Sequence, residues 1–313
     1  MQSKKAAVID MGTNTFHLLL VELLGSDFRT IYKEKIAVKL GQGGITHNQI
    51  TADAEKRAMH ALTHFKHLIA GEGITDIFAF ATSSVRNAKN GPAFVQKIKE
   101  ELDIHIQVIS GEEEAQLIYE GINYSGALDQ ETHLMMDIGG GSVEFIIGNA
   151  TEALWKKSFE IGGQRLLDAF HYHDPIVPQE VQKLEQYCGE KLQPLLEAIA
   201  TYNPTSLVGA SGTFDTLVDM YYAAQLQRKP LGKHVFELPV PAFYELFQQL
   251  ITKNREERLQ LPGMIAMRVD MIVVASCLID FILQHLPVSS MRCSRYSLKE
   301  GAVSRLLSGK IAR

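Results

Sequence analysis

Two short turns built to one pattern constrain this chain more than anything else in it. The first lies in residues 6–24, AAVIDMGTNTFHLLLVELL, and the second in residues 134–148, LMMDIGGGSVEFIIG. With Asp10 laid on Asp137, Gly12 falls on Gly139 and Thr15 on Ser142, and each turn sits between two apolar runs. That pattern reads as strand, tight turn, strand. Consecutive glycines are costly to order, so Gly139, Gly140 and Gly141 need a reason. Close approach of backbone N–H groups to an anion is one, and such a concavity suits phosphate oxygens. Asp137 and Glu144 flank the second turn, and carboxylates beside bound phosphate suggest a bridging Mg²⁺ or another divalent cation. A flexible hairpin with ordinary surface acids is the alternative for one copy taken alone. Two copies point to a duplicated domain rather than a short-period solenoid, with two facing turns able to grip one phosphate chain.

The pair DMGTNTFHLLL and DIGGGSVEFIIG resembles the two phosphate loops of the actin, sugar kinase and Hsp70 superfamily. ISGEEEAQLIYEG (109–121) is similar to the signature of the exopolyphosphatase and guanosine pentaphosphate phosphohydrolase (Ppx/GppA) family. ATSSVRNAKNG (81–91), EIGGQRLLDAF (160–170), GASGTFDTL (209–217) and SRYSLKEGAV (294–303) also match it, in order, so the resemblance covers nearly the whole chain. It implies an α/β fold of two actin-like, ribonuclease H-like lobes with a cleft between them. It also implies the family's short form, ending at Arg313 without the C-terminal helical domain of long relatives. The implied activity is removal of the terminal phosphate from inorganic polyphosphate, from guanosine pentaphosphate, or from both.

Length and composition agree with this class. At 313 residues there is chain enough for two domains with their own cores. The net charge of −5 argues against a general nucleic-acid binder. Cys188, Cys277 and Cys293 form no CxxC spacing and leave an odd count, so neither a disulfide framework nor a zinc site is expected. Reduced, mostly buried thiols fit a cytoplasmic protein. The N-terminal apolar run is short and is interrupted by Asp10, unlike a signal peptide. The most apolar stretch, 271–286, carries Asp280 and reads as a buried helix rather than a membrane span. The expected partners are therefore the polyphosphate or guanosine pentaphosphate substrate, with no nucleic acid and no membrane; a homodimer is compatible with this reading.

Strands alternating with helices predict an α/β lobe over 1–122, opening with three strands at 6–24 and 28–40. A second lobe over 123–313 repeats the three-strand start at 133–137, 143–147 and 153–159. The final helix, 298–308, is free in this reading to pack back on the first lobe. Helices are expected at 51–71, 92–102, 112–119, 178–202, 213–224, 241–252 and 264–284, with a short hinge near 119–125.

The resemblance singles out Glu114 as the catalytic base that orients and deprotonates water. Glu112 and Glu113 need no more than the favourable charge of acids in a first helical turn. Asp137 and Glu144 match the family's metal-site acids, and Asp10 is their counterpart in the other copy, acting through water or simply closing an Asx turn. Arg86 matches a phosphate-binding arginine, a surface ion pair being the alternative. Gly12, Thr13, Asn14 and Thr15 would donate from the first lobe; Gly139, Gly140, Gly141 and Ser142 would donate from the second. Ser211, Gly212 and Thr213 form another turn at a helix start, either phosphate-binding or a plain cap. Arg228, Lys229, Lys233, Arg268, Arg295 and Lys299 read as a basic track or as solvated charge, His17 as a cleft-lining residue, and 171–174 as loop. The chain departs from the family pattern at Lys39 and Lys299, usually arginine, and at Ser297, usually glycine. Two other functions share these loops: an actin-like, ATP-dependent sugar kinase, and a non-enzymatic nucleotide or polyphosphate sensor.

Overall fold

The computed structural model describes residues 4–310. In chain order the elements begin with β1 (Lys4–Met11), β2 (Thr15–Leu24), β3 (Asp27–Ala37), α1 (Ala52–Gly71), β4 (Ile77–Ala81) and α2 (Ser83–Asn87). There follow α3 (Gly91–Leu102), β5 (Ile106–Val108), α4 (Gly111–Tyr124), β6 (His133–Ile138), β7 (Val143–Gly148) and β8 (Ala153–Phe159). Next come α5 (Gly163–Phe170), α6 (Pro178–Lys191), α7 (Gln193–Tyr202), β9 (Ser206–Ala210), α8 (Ser211–Ala224) and β10 (Val235–Pro239). The chain closes with α9 (Val240–Thr252), α10 (Arg255–Leu259), α11 (Met271–His285), β11 (Ser290–Ser294) and α12 (Leu298–Leu307). Residues 4–121 together with 298–310 make one compact unit, and residues 122–297 a second.

The first unit has a five-stranded sheet in the order β3-β2-β1-β4-β5. β1, β2 and β3 form an antiparallel meander, and β4 and β5 add parallel to β1. β1 lies inside the sheet and its Ala6–Val8–Ile9 stretch is buried on both faces, as a continuous apolar run requires. β3 is an edge strand rich in charge, which discourages pairing with other chains. α1 starts where the Thr51 side chain accepts the Ala54 N–H, and it buries Ala54, Ala58, Ala61, Leu62, Phe65 and Ile69 at helical spacing. Burying side chains such as Leu62 and Phe65 contributes about 1.5–3 kcal/mol each. α12 belongs to this unit. Its Gly301 lies so close to α4 that a Cβ there would stand 1.8 Å from the Leu117 carbonyl oxygen.

The second unit repeats the plan. Its sheet runs β10-β11-β9-β6-β7-β8. Read from the other edge, β8-β7-β6-β9-β11 has the same order and the same antiparallel and parallel pairings as the first sheet, and β10 is added antiparallel at the end. Each unit is thus an α/β, actin-like lobe of ribonuclease H type. α11 is buried on every side from Met271 to Leu283, which accounts for its apolar composition. Among the described residues no helix is long and apolar enough to cross a membrane.

Four local expectations change. The helix expected over 178–202 is two, α6 and α7, meeting at Leu192. Pro194 lies in the first turn of α7, where its missing N–H and its ring would both have disrupted a continuing helix. The helix expected from 264 begins at Met271, after a run of turns. β10 is absent from the expected elements and is an edge strand ending in Pro239. The expected hinge at 119–125 is helical as far as Tyr124, since α4 continues past Gly121.

Candidate active site

In the first unit the turn between β1 and β2 is held from behind. The Gly12 N–H donates to the Thr15 carbonyl at 3.1 Å, and a Cβ on Gly12 would press on that same oxygen at 3.0 Å. The Thr13 and Asn14 carbonyls accept from the N–H groups of Gly41 (3.0 Å) and Lys39 (2.8 Å). Arg57 secures that second segment, donating to the Val38 carbonyl at 2.7 Å and the Lys39 carbonyl at 2.9 Å. Lys39 itself has φ +50°, so it sits in a tight turn beyond β3 rather than on the strand. On the side-chain layer, the Ser84 hydroxyl donates to Thr13 Oγ1 at 2.7 Å, and Thr15 Oγ1 lies 3.0 Å from His17 Nε2. Thr13, Asn14 and Thr15 are all buried.

Two further elements complete this half. α2 carries Arg86, whose Nη1 donates to Glu114 Oε2 at 2.9 Å and to the Ile109 carbonyl at 3.0 Å. Glu114 stands in the first turn of α4, its N–H bonded to the Ser110 carbonyl, while Ser110 Oγ accepts the Glu113 N–H. Ser110 is therefore a side-chain cap for the helix that presents Glu114. Glu114 is 6% exposed, and an ionised carboxylate that deeply buried needs a cationic partner. The ion pair sets Arg86 against Glu114 rather than leaving it as a solvated surface charge. Thr13, Arg86 and Glu114 were expected as site residues; Ser84 and Ser110 lie within matched segments but were given no role, and Arg57 carries no sequence signal beyond its charge.

In the second unit the glycine turn between β6 and β7 is gripped by the start of α5. The carbonyls of Gly139, Gly140 and Gly141 accept from the N–H groups of Gly163 (2.8 Å), Gln164 (2.8 Å) and Gly162 (3.1 Å). Arg165 Nε adds a bond to the Gly141 carbonyl at 2.9 Å. With its carbonyls so engaged, the turn has N–H groups to present to an anion. Glycine at 162 is obligatory, because a Cβ there would lie 2.5 Å from the backbone of Gly140 and Gly141. The EIGGQR segment thus supports the glycine turn, a role its sequence alone did not disclose.

Asp137 and Glu144 are directly opposite in the β6–β7 register, and Glu144 is opposite Ser158 in the β7–β8 register. Residues so paired share a face of the sheet, with Cβ atoms about 4.5–5.5 Å apart. Asp137 is 6% exposed and Glu144 1%. Ser158 Oγ donates to Glu144 Oε1 at 2.7 Å, and the Ser297 hydroxyl donates to Asp137 Oδ2. In the first unit the equivalent row is Asp10, His17 and Lys35. The duplication therefore keeps one acid in both copies and pairs it with a second acid in only one of them.

Neighbouring carboxylates on one buried face repel unless something positive joins them. Arg268 supplies part of that charge. Its guanidinium interacts electrostatically with Asp215 and Asp137, while burial pushes it below its ordinary pKa. The group lies against the Ser211–Gly212 turn, where a Cβ on Gly212 would come 1.8 Å from Arg268 Nη2. Arg268 is therefore not part of a solvated track, and its Nε has no hydrogen-bond partner in the protein. Ser211 holds φ +71°, unusual for a serine. Among the described residues there is no cluster of three or more His, Cys, Asp or Glu side chains able to hold a metal. Mg²⁺ needs no such cage: one or two carboxylates with waters and substrate oxygens suffice, and Asp137 with Glu144 fit that set.

Of the remaining basic residues, Arg228, Lys233 and Arg295 are exposed, Lys229 pairs with Asp219, and Lys299 lies 3.9 Å from Glu300. The His171–Asp174 segment belongs to a separate cluster. There Arg258, 1% exposed, binds Asp174 at 2.7 Å and the Val269 carbonyl at 3.1 Å.

Comparison with known proteins agrees with these motifs. The model of the Ppx/GppA phosphatase family matches residues 21–309. An exopolyphosphatase from Cytophaga hutchinsonii is 44% identical, with TM-score 0.95 over 98% of each chain. The Ppx/GppA family member of Aquifex aeolicus shares the fold at 22% identity, with TM-score 0.82 over 99% of each chain. An exopolyphosphatase-like protein covers 100% of each chain at 22% identity and TM-score 0.89. With a family model spanning most of its length, the chain belongs to the Ppx/GppA phosphatase family.

Proposed function

We propose that this phosphatase removes the terminal phosphate from inorganic polyphosphate, and from guanosine pentaphosphate as a second substrate of the same kind. The observation that carries the reading is the Arg86–Glu114 pair, a buried carboxylate held by a guanidinium at the start of α4. Polyphosphate is placed first because the 44% identical relative is an exopolyphosphatase.

In this reading each unit contributes its copy of the turn to phosphate binding. Thr13, Asn14 and Thr15, with the amide of Gly12, bind phosphate from the first copy of the turn. Gly139, Gly140, Gly141 and Ser142 do so from the second, with Ser211, Gly212 and Thr213 contributing at the start of α8. Glu114 orients a water and takes one of its protons as the oxygen attacks the terminal phosphorus. The bond from that phosphorus to the bridging oxygen breaks, and a chain one phosphate shorter leaves. Arg86 keeps Glu114 in place and offers its remaining N–H groups to the terminal phosphate. Asp137 and Glu144 would hold a divalent cation, with Asp10 helping through water. Such a cation, when bound, neutralises charge that builds on the scissile phosphates. No protein nucleophile is required, because phosphoryl transfer depends mainly on positioning and charge stabilisation.

The test is orthophosphate release, with Mg²⁺ and no acceptor, from long polyphosphate, tripolyphosphate and guanosine pentaphosphate. Release from at least one of them is expected. No orthophosphate from any of the three, with ADP and a sugar phosphate formed from ATP only when a sugar is added, would identify a kinase. Tight binding of all three without turnover would identify a sensor.

A further inference from the structure

Each acid of the β6–β7 pair is engaged by a serine hydroxyl from a different segment. Ser158 reaches Glu144 from the neighbouring strand at 2.7 Å, and Ser297 reaches Asp137 from the residue just before α12. Ser297 is 8% exposed, so water competes poorly for its hydroxyl. Ser158 is the direct cross-strand partner of Glu144, so the sheet register itself delivers its hydroxyl. Two unrelated positions thus make the same kind of contact, a serine hydroxyl donating to a carboxylate oxygen of each acid.

We propose that Ser158 and Ser297 are positioning residues that fix Asp137 and Glu144 as one-oxygen ligands and so favour a small, six-coordinate cation over Ca²⁺. This rests on Asp137 and Glu144 being the metal-site acids. A hydroxyl donating to one carboxylate oxygen takes up part of that oxygen's acceptor capacity and fixes the rotation of the group. Mg²⁺ accepts rigid, one-oxygen carboxylates at about 2.0–2.1 Å, and Mn²⁺ shares its preference for octahedral oxygen ligands. Ca²⁺ takes about 6–8 oxygens at 2.3–2.6 Å and gains from carboxylates free to turn and bind through both oxygens. Outer partners of this sort typically change metal affinity about 10–100-fold when removed.

The experiment measures binding of Mn²⁺ and of Ca²⁺ by calorimetry, without substrate, so that turnover plays no part. The proteins are the parent, Ser158→Ala, Ser297→Ala, the double alanine variant, the corresponding threonine variants, and Asp137→Asn. Circular dichroism and melting temperature verify that each is folded. The proposal predicts that the double alanine variant loses Mn²⁺ affinity about 10-fold or more. Its Ca²⁺ affinity should hold or rise, so the Mn²⁺-over-Ca²⁺ ratio falls. Threonine, which restores a hydroxyl, should restore the ratio. If Asp137→Asn abolishes Mn²⁺ binding while the alanine variants keep the parent ratio, the serines have no such role and the proposal is wrong. If Asp137→Asn binds Mn²⁺ as the parent does, the assignment of the metal acids fails instead, and this proposal falls with it.

Discussion

The Arg86–Glu114 contact shows why residue identity alone understates a site. An arginine in a helical stretch reads as a surface charge, and three successive glutamates read as a favourable first turn. The family resemblance points to Glu114, and the 2.9 Å pairing at a carboxylate 6% exposed is what sets it apart physically from its neighbours. Arg268 teaches the same lesson from the other direction. It was grouped with solvated lysines and arginines, yet it is packed against a glycine that leaves it room. Histidines give a residue-scale prediction. Burial lowers the pKa of His171 below its ordinary 6.5, with Arg258 adding to the effect and Asp174, Glu180 and Asp270 opposing it. His133 is also lowered, by burial first, against the pull of Asp129. For such a group the unfolded chain binds the proton more readily, so stability is fully present above 6.5 and is lost as the pH falls below it. The melting temperature should therefore drop between pH 7 and about 5.5, and a His171→Gln protein should show a shallower drop. An unchanged slope in that variant would mean His171 takes up its proton equally well in both states.

At the scale of elements, packing overrides pattern in identifiable places. The apolar spacing of Leu184, Leu192 and Leu195 stays in phase across the α6–α7 junction, so periodicity alone could not reveal the break; Pro194 was the signal to weigh more heavily. β10 has inward Phe236 and Leu238, but its terminal proline and the basic loop before it mask a strand that exists because an edge was available on β11. By contrast, the meander in each unit, the α1 face and the buried α11 were legible, since each has a long, consistent apolar pattern. α12 was expected as a helix, and its tie to α4 depends on one small residue. Gly301→Ala would drive a Cβ into the Leu117 carbonyl, backbone that has no side-chain rotation to yield. The variant should lose about 1–3 kcal/mol or more of stability, seen as a lower denaturant midpoint with an unchanged slope. A variant as stable as the parent would mean that α12 can lift from α4 at little cost.

Over the whole molecule, duplication with divergence is the main theme. Two sheets share one strand order, and the turn after the first strand of each repeats Asp-x-Gly. This much was readable because glycine, aspartate and apolar runs keep their spacing when a domain is copied. What differs is the cross-strand row: Asp10, His17 and Lys35 in one copy, Asp137, Glu144 and Ser158 in the other. That row is set by register between strands, and a linear sequence does not display which side chains register brings side by side. The family assignment covers residues 21–309 and makes the chain a phosphatase. The mechanism proposed for it has a carboxylate on α4, Glu114, activating water. Glu114→Gln keeps the size and hydrogen-bonding reach of the side chain but cannot take a proton at neutral pH. Orthophosphate release from polyphosphate, measured beside polyphosphate binding in the same variant, tests the claim most directly. The account predicts binding within a few-fold of the parent and release lower by about 100-fold or more; release at the parent rate would contradict it.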